Sequence, residues 1–331
     1  MEEYLMEEDL ELLERGLLSE VDNEVDSDDL WPEDHDSHVG PYNRGATTKP
    51  VKIVNSKVLN YLGNVKESKT YNSRAWLLQS MLNVVGYPLT ADGFFGQLTD
   101  QAVRKFQTDN GMKVDGIVGP ASWTRLIYHG RNKISNSTIQ EKDFENAAIS
   151  LGVEVEVVKA IKDVESSGSG YLFSNHPKIL FEGHVFWKLL DKCGGKPSQY
   201  SDSDILYPKW SYDHYKGDVA EHVRLQKARR INRDAANASA SWGLFQIMGN
   251  NYKACGCKSV DEFVDRMRMS ESEQLNLFVA FIKYHNMHLS LRPGNIKWAE
   301  FARRYNGAGY EKNKYHIKLE NAYLRYKNKK K

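Results

Sequence analysis

Residues 160–168 read Ala160-Ile161-Lys162-Asp163-Val164-Glu165-Ser166-Ser167-Gly168, the end of an amphipathic helix running into a helix-breaking turn. Reading back from it, Val157, Ile161 and Val164 fall at i, i+4 and i+7, the spacing of one buried helical stripe. Glu165 lies four residues past Ile161, so the spacing puts its carboxyl on the core-facing side. Apolar neighbours disfavour the charged form of a carboxyl group, the condition a general acid needs near neutral pH. A surface glutamate at a frayed helix end is the alternative, and the rest of the chain has to decide.

Downstream, the pattern is helix-rich. Thr138-Ile139-Gln140-Glu141 has capping-box spacing, and Phe144, Ala147, Ala148 and Leu151 continue that helix to Gly152. Ser259–Glu262 and Ser270–Glu273 repeat the capping logic. Leu275–Ile282 is apolar enough for a central helix, and Trp298, Phe301, Ala302 and Tyr305 predict another that ends at Asn306-Gly307. Only Lys178–Phe181 and the stretch around Tyr207–Tyr215 read as extended. The expected fold class is therefore mainly α with a small extended element, the C-terminal domain covering 138–328.

Upstream lies a repeat. Asp92-Gly93-Phe94-Phe95-Gly96-Gln97-Leu98-Thr99 recurs as Asp115-Gly116-Ile117-Val118-Gly119-Pro120-Ala121-Ser122. Each copy is a tight Asp-Gly turn, a second glycine, and a Thr or Ser expected to cap the next helix. Ala75, Leu78, Met81, Leu82 and Val85 mark a helix ahead of the first copy. Ala102, Val103 and Phe106 follow it, and Trp123, Leu126 and Ile127 follow the second. The prediction is a three-helix unit over 67–130, set off by linkers at 40–50 and 132–137. This pattern resembles the bacterial peptidoglycan-binding module found at one end of many cell-wall hydrolases.

Composition narrows the function classes. The chain has 331 residues, enough for two domains, and no apolar run of membrane-spanning length. Its N-terminus opens acidic, unlike a secretory signal, which implies another route to any target beyond the membrane. Residues 1–39 hold sixteen Asp and Glu against one Arg, a balance of −15; with a total of +1, residues 40–331 carry +16. Such a basic body suits an anionic partner such as a bacterial envelope, and residues 1–50 read as a solvated, disordered acidic leader with its linker. A short amphipathic helix over Tyr4–Leu18 is the alternative for that leader. Three cysteines, two of them in Cys255-Gly256-Cys257, form neither a disulfide framework nor a zinc signature. No metal and no cofactor are expected.

Three motifs occur in order: Glu165-Ser166-Ser167-Gly168, Ser239-Ala240-Ser241-Trp242-Gly243-Leu244-Phe245-Gln246-Ile247-Met248, and Arg304-Tyr305-Asn306-Gly307. Within an α-rich domain they resemble the goose-type lysozyme and lytic transglycosylase superfamily. With Pro177-Lys178-Ile179-Leu180-Phe181-Glu182-Gly183-His184 added, they resemble more closely the modular phage endolysins with an N-acetylmuramidase domain. The resemblance implies a monomeric peptidoglycan hydrolase, made in the host cytoplasm and released to the wall through a holin-permeabilised membrane.

Cleaving a glycosidic bond needs a protonated carboxyl at the leaving oxygen and usually a second carboxylate. Glu165 fits the first role. Glu182, at the end of the extended Ile179–Phe181 segment, is the leading candidate for the second; a structural carboxylate paired with His184 or a helix N-terminus is the alternative, and Asp234 is the reserve. Ser239 and Ser241 are candidates to hold a water or a sugar hydroxyl, or are small only to permit close packing. Gln246 and Asn306 carry amides suited to amino sugars. Tyr305 is a candidate to hydrogen-bond near Glu165, and Tyr171, Phe173, Trp187, Trp210, Tyr212 and Tyr215 include candidate sugar-stacking rings.

The expected substrate is the β-1,4 bond between N-acetylmuramic acid and N-acetylglucosamine. Peptidoglycan is the expected partner, without nucleic acid or membrane insertion. A lytic transglycosylase of the same fold leaving 1,6-anhydro ends is the nearest rival. A virion docking protein and a nucleic-acid binder, the latter suggested by basic charge and the Lys327–Lys331 tail, are the others.

Overall fold

The computed structural model describes residues 54–165, 168–311 and 314–328. The acidic leader, Ser166 and Ser167 of the Glu-Ser-Ser-Gly motif, and Lys329–Lys331 of the basic tail lie outside the described residues. Among the described residues the fold is mainly α, with two small antiparallel sheets.

The N-terminal unit comprises α1 (Ser56–Leu62), α2 (Ser73–Val85), α3 (Gln97–Asp109) and α4 (Pro120–Arg131). The helix α1, ahead of the three read from sequence, sends Val58 and Leu62 into the same core, and Trp123 donates its indole N–H to Gly63 O at 2.9 Å. The repeat has a physical basis in two glutamines. Gln79 donates to Asp92 Oδ1 (2.9 Å) and Phe94 O (3.1 Å) and accepts from Gly93 N (2.8 Å). Gln107 does the same to Asp115 Oδ1 (3.0 Å), Ile117 O (3.1 Å) and Gly116 N (2.9 Å). One side chain thus clips each Asp-Gly turn, whose glycines sit at φ 81° and 72°.

The expected Thr and Ser caps are a correction. The N-caps of α3 and α4 are Gly96 and Gly119, with no side-chain cap bond. The helices start one residue after each second glycine, which leaves Thr99 and Ser122 inside the first turn. Thr99 is buried and its hydroxyl accepts from Gln79 at 3.1 Å.

The C-terminal unit begins with α5 (Glu141–Leu151) and α6 (Val155–Glu165). Its first cap is shifted from the expected Thr138. Gln140 is the N-cap, and Asp143 accepts from Gln140 N at 2.8 Å while also binding Ser272 Oγ at 2.6 Å, which fixes that choice from a distant element. Then follow β1 (Tyr171–Phe173), β2 (His176–Pro177), β3 (Ile179–Phe181) and α7 (Gly183–Lys192). Next come α8 (Ala220–Arg229), α9 (Arg233–Ala238), β4 (Ala240–Trp242) and β5 (Ile247–Met248). The chain finishes with α10 (Val260–Met269), α11 (Glu271–Tyr284), α12 (Trp298–Asn306) and α13 (Tyr315–Asn328). Ser259 and Ser270 cap α10 and α11 as their spacing predicts, accepting from Glu262 N (3.1 Å) and Glu273 N (3.0 Å).

The expected extended stretch at Tyr207–Tyr215 forms no strand; a 3₁₀ turn occupies Tyr212–His214. The expected extended segment at Lys178–Phe181 does form β3, and its sheet is completed from the Ser239–Met248 motif. β3 pairs antiparallel with β4, Leu180 opposite Ser241, and β4 with β5, Trp242 opposite Ile247. The helix α6 buries Val157, Val158, Ala160 and Ile161, more than one stripe, because α5 and α13 both pack on it.

The two units share a core. Phe173, Val219, Ala220 and Val223 from the C-terminal unit are buried among the apolar residues of the N-terminal one. Arg230 lies over the Tyr71 ring at 3.8 Å, and Tyr61–Asp204 and Arg131–Asp218 bonds flank the contact.

Candidate active site

Glu165 is the last residue of α6 and is only 2 % exposed. Its Oε1 accepts a hydrogen bond from the Tyr315 hydroxyl at the start of α13. Burial and the neighbouring Glu165 hold that hydroxyl well above its ordinary 10, so it stays protonated and donates. The two influences on Glu165 oppose each other: burial favours a neutral carboxyl, and a donated hydrogen bond favours the ionised one.

Tyr305 is fully buried and near enough to Glu165 that this carboxylate, after burial, raises its hydroxyl pKa, but its hydrogen bond goes to Phe245 O at 3.0 Å. Its ring lies nearly parallel to that of Tyr315, with centroids 6.5 Å apart. It therefore supports the tyrosine that reaches the carboxyl. Tyr315 had no signal in the sequence, because 150 residues separate it from Glu165 and no spacing rule spans that gap.

The chain beyond Glu165 is tied down by a second residue the spacing did not reveal. Glu271, buried at the start of α11, accepts from Ser169 Oγ (2.8 Å) and Gly170 N (2.7 Å). It appears in the sequence only as part of a capping pattern.

The β4–β5 connection carries the second motif. Gln246 sits at φ 44°, an unusual region for a residue with a side chain. Its amide is committed to the turn: Ser241 Oγ donates to Gln246 Oε1 at 2.8 Å, and Gln246 Nε2 donates to Gly243 O at 2.7 Å. Gly243 is at φ 69°, where a Cβ would meet Gln274 at 2.8 Å, and Leu244 N donates to Gln274 Oε1 at 2.7 Å. Ser239 is fully buried and donates to Ala235 O at 2.6 Å, so it packs the floor from within. Asn306 ends α12 and is buried, ahead of Gly307 at φ 70°.

Glu182 does not face the cleft as expected. It is the N-cap residue of α7, 1 % exposed, and its Oε2 accepts from Tyr215 Oη at 2.5 Å and lies 3.3 Å from His184 Nδ1. Tyr215 in turn accepts from Trp210 Nε1 at 2.7 Å, and burial and Glu182 both push its hydroxyl pKa up. Pairing with β4 brings the segment here, and the loop carrying Tyr215 then covers the carboxyl. The reserve, Asp234, lies exposed in the first turn of α9.

A groove of about 420 Å³ opens beside the sheet, lined on this domain by Lys178, Leu180, Tyr212, Tyr215, Lys216 and Gln246. Among the six candidate stacking rings, Trp210 and Tyr212 are exposed; Tyr171, Phe173 and Tyr215 are buried and Trp187 half-buried. Phe173 belongs to the shared core. Among the described residues no group of three or more His, Cys, Asp or Glu is placed to hold a metal ion.

Comparison with known proteins adds independent findings. The N-acetylmuramidase family model matches residues 154–327, and a putative peptidoglycan-binding domain matches residues 75–126. The crystal structure of a Burkholderia AP3 phage endolysin is 36 % identical, with a TM-score of 0.55, covering 81 % of this chain and 100 % of that one. The zinc D-Ala-D-Ala carboxypeptidase of Streptomyces albus G is 42 % identical over 53 residues, 14 % of this chain and 21 % of that protein. The spore cortex-lytic enzyme of Halalkalibacterium halodurans is 37 % identical over 76 residues, 23 % of this chain and 21 % of that protein. A protein of Kitasatospora aureofaciens encoded in the bpoA1 3′ region is 60 % identical over 37 residues, 11 % of this chain and 31 % of that protein. The chain thus spans less than a third of the length of these curated relatives.

Proposed function

Because the chain belongs to the N-acetylmuramidase family, we propose that it hydrolyses peptidoglycan at the β-1,4 bond after N-acetylmuramic acid, with Glu165 as general acid. The observation that carries this reading is the Glu165 carboxyl, buried at the end of α6 inside the family-matched region and clasped by Tyr315. A carboxyl so held is fixed in orientation, and in its protonated state it delivers a proton to the leaving glycosidic oxygen as an oxocarbenium-like centre develops. Tyr315 is a positioning residue, and so is Glu182, which acts on the groove wall through Tyr215. The N-terminal unit holds the enzyme on the wall and raises the local substrate concentration. The protein works as a monomer on the bacterial wall, released by membrane permeabilisation.

Turbidity loss of isolated peptidoglycan tests the assignment. Glu165→Gln is expected to lose about 10²- to 10⁴-fold in rate while keeping a native circular dichroism spectrum. Full activity in that variant overturns the assignment. Glu182→Gln should cost far less, through a loosened Tyr215. The covered Glu182 also favours a second reading, in which Glu165 works without a water-activating carboxylate and the product is a 1,6-anhydro sugar. Product mass decides: fragments lighter by one water mean transglycosylation.

A further inference from the structure

The groove beside the sheet has a wall from each unit. Across from Tyr212, Tyr215 and Lys216 stand Asn55 and Lys57, at the start of the N-terminal unit. Lys57 is exposed, and its ammonium lies 5.8 Å from the centre of the Tyr212 ring. Lys178 lines the same space from the β3 side. The two acidic residues at the rim are engaged elsewhere: Asp218 pairs with Arg131, and Glu221 lies 2.7 Å from Arg224. Lys216 lies 3.7 Å from Asp204, so the cation the groove presents beside its tyrosines is Lys57, with the two rim carboxylates already neutralised.

We propose that this two-walled groove seats the anionic peptide stem borne by the muramic acid residues, while the glycan backbone lies at Glu165. The inference rests on the muramidase reading above. Neutral amino sugars need hydrogen-bonding groups and flat rings, and they give the Lys57 charge nothing to pair with. A stem peptide with free carboxylates does. The volume, about 420 Å³, fits a short peptide segment and falls in the ordinary range for ligand sites. Gln246 joins the groove to the catalytic side: it lines the groove, and the adjacent Phe245 carbonyl accepts from Tyr305, whose ring lies against Tyr315. The shared core between the units holds both walls at a fixed separation.

Lys57→Glu is the test. The side chain is exposed in the first turn of α1, where a carboxylate suits the helix dipole, and the Lys57 N–H bond to Asn55 Oδ1 involves only backbone at position 57. kcat/KM is measured on soluble stem-bearing glycan strands and on the same strands stripped of peptide by an amidase. The wild type should prefer stem-bearing strands, and that preference should fade as salt is raised. Lys57→Glu should reduce the ratio of the two values about fivefold, mainly through KM. Tyr212→Ala should shift the ratio in the same direction. Equal wild-type rates on both strands, or an equal loss on both in the variant, overturn the proposal. Activity on neither strand means instead that the muramidase reading has failed. Calorimetric titration with free stem peptide, which needs no turnover, then still decides: binding weakened by Lys57→Glu supports the groove, and binding unchanged overturns it.

Discussion

At Glu165 the chemistry turns on one donor. Tyr315 stabilises the ionised carboxylate, and burial stabilises the neutral acid that must be present before proton transfer. In Tyr315→Phe the donor is lost and the protonated acid persists to higher pH, so the alkaline limb of the kcat/KM profile should move upward. The rate at the optimum should fall about tenfold as the carboxyl loses its fixed orientation. A purely structural tyrosine would leave the pH profile where it is. Gln246 illustrates the opposite case: its amide chemistry suits a sugar, yet both ends of that amide are occupied within its own turn.

At the scale of elements, α13 is the piece whose importance exceeds its sequence signal. It lays Leu319 and Ala322 against the rest of the core and brings Tyr315 to the end of α6. Leu319 has no exposed surface, so Leu319→Ala should cost about 2–5 kcal/mol of unfolding free energy, read from urea melts. Activity should decline along with it, because the same helix carries the Glu165 partner. The helices themselves were largely legible: α6, α10, α11 and α12 fall where apolar spacing and Ser caps predict. The strands were legible only in part: Lys178–Phe181 reads as extended and carries β3, whereas β4 and β5 gave no signal. β4 and β5 are three and two residues long, too short for alternation to show, and they exist because β4 pairs with β3 on one side and with β5 on the other.

The whole molecule is held by the contact between its two units. At that contact His176 stacks on Phe173 at 4.0 Å, lies 6.0 Å from Trp76, and meets His222 at 5.3 Å. Burial lowers the His176 pKa to about 4, and burial and His176 lower that of His222, with Arg229 and Arg268 adding to both. Both imidazoles are neutral in the folded state, whereas in the unfolded chain they take up protons near their ordinary 6.5. The unfolded state therefore binds more protons between these values, and stability is lost as pH falls from about 6.5 towards 4. Calorimetry should show the melting midpoint dropping over that window, and His222→Gln should flatten the drop. A midpoint insensitive to pH there would remove the two histidines from the account.

What the sequence by itself determined was local. Periodicity placed α2 to α6 and α10 to α12, the Asp-Gly repeat marked two like turns, and Glu165 lay on the buried side of its helix, because these features depend on residues within a few positions of each other. What only the tertiary structure decided was which groups meet. Tyr315 rather than Tyr305 reaches Glu165, Tyr215 covers Glu182, and Lys57 of one unit faces Tyr212 of the other. Those pairings are set by how helices and strands far apart in the chain pack around a common core, and no spacing in the sequence encodes them.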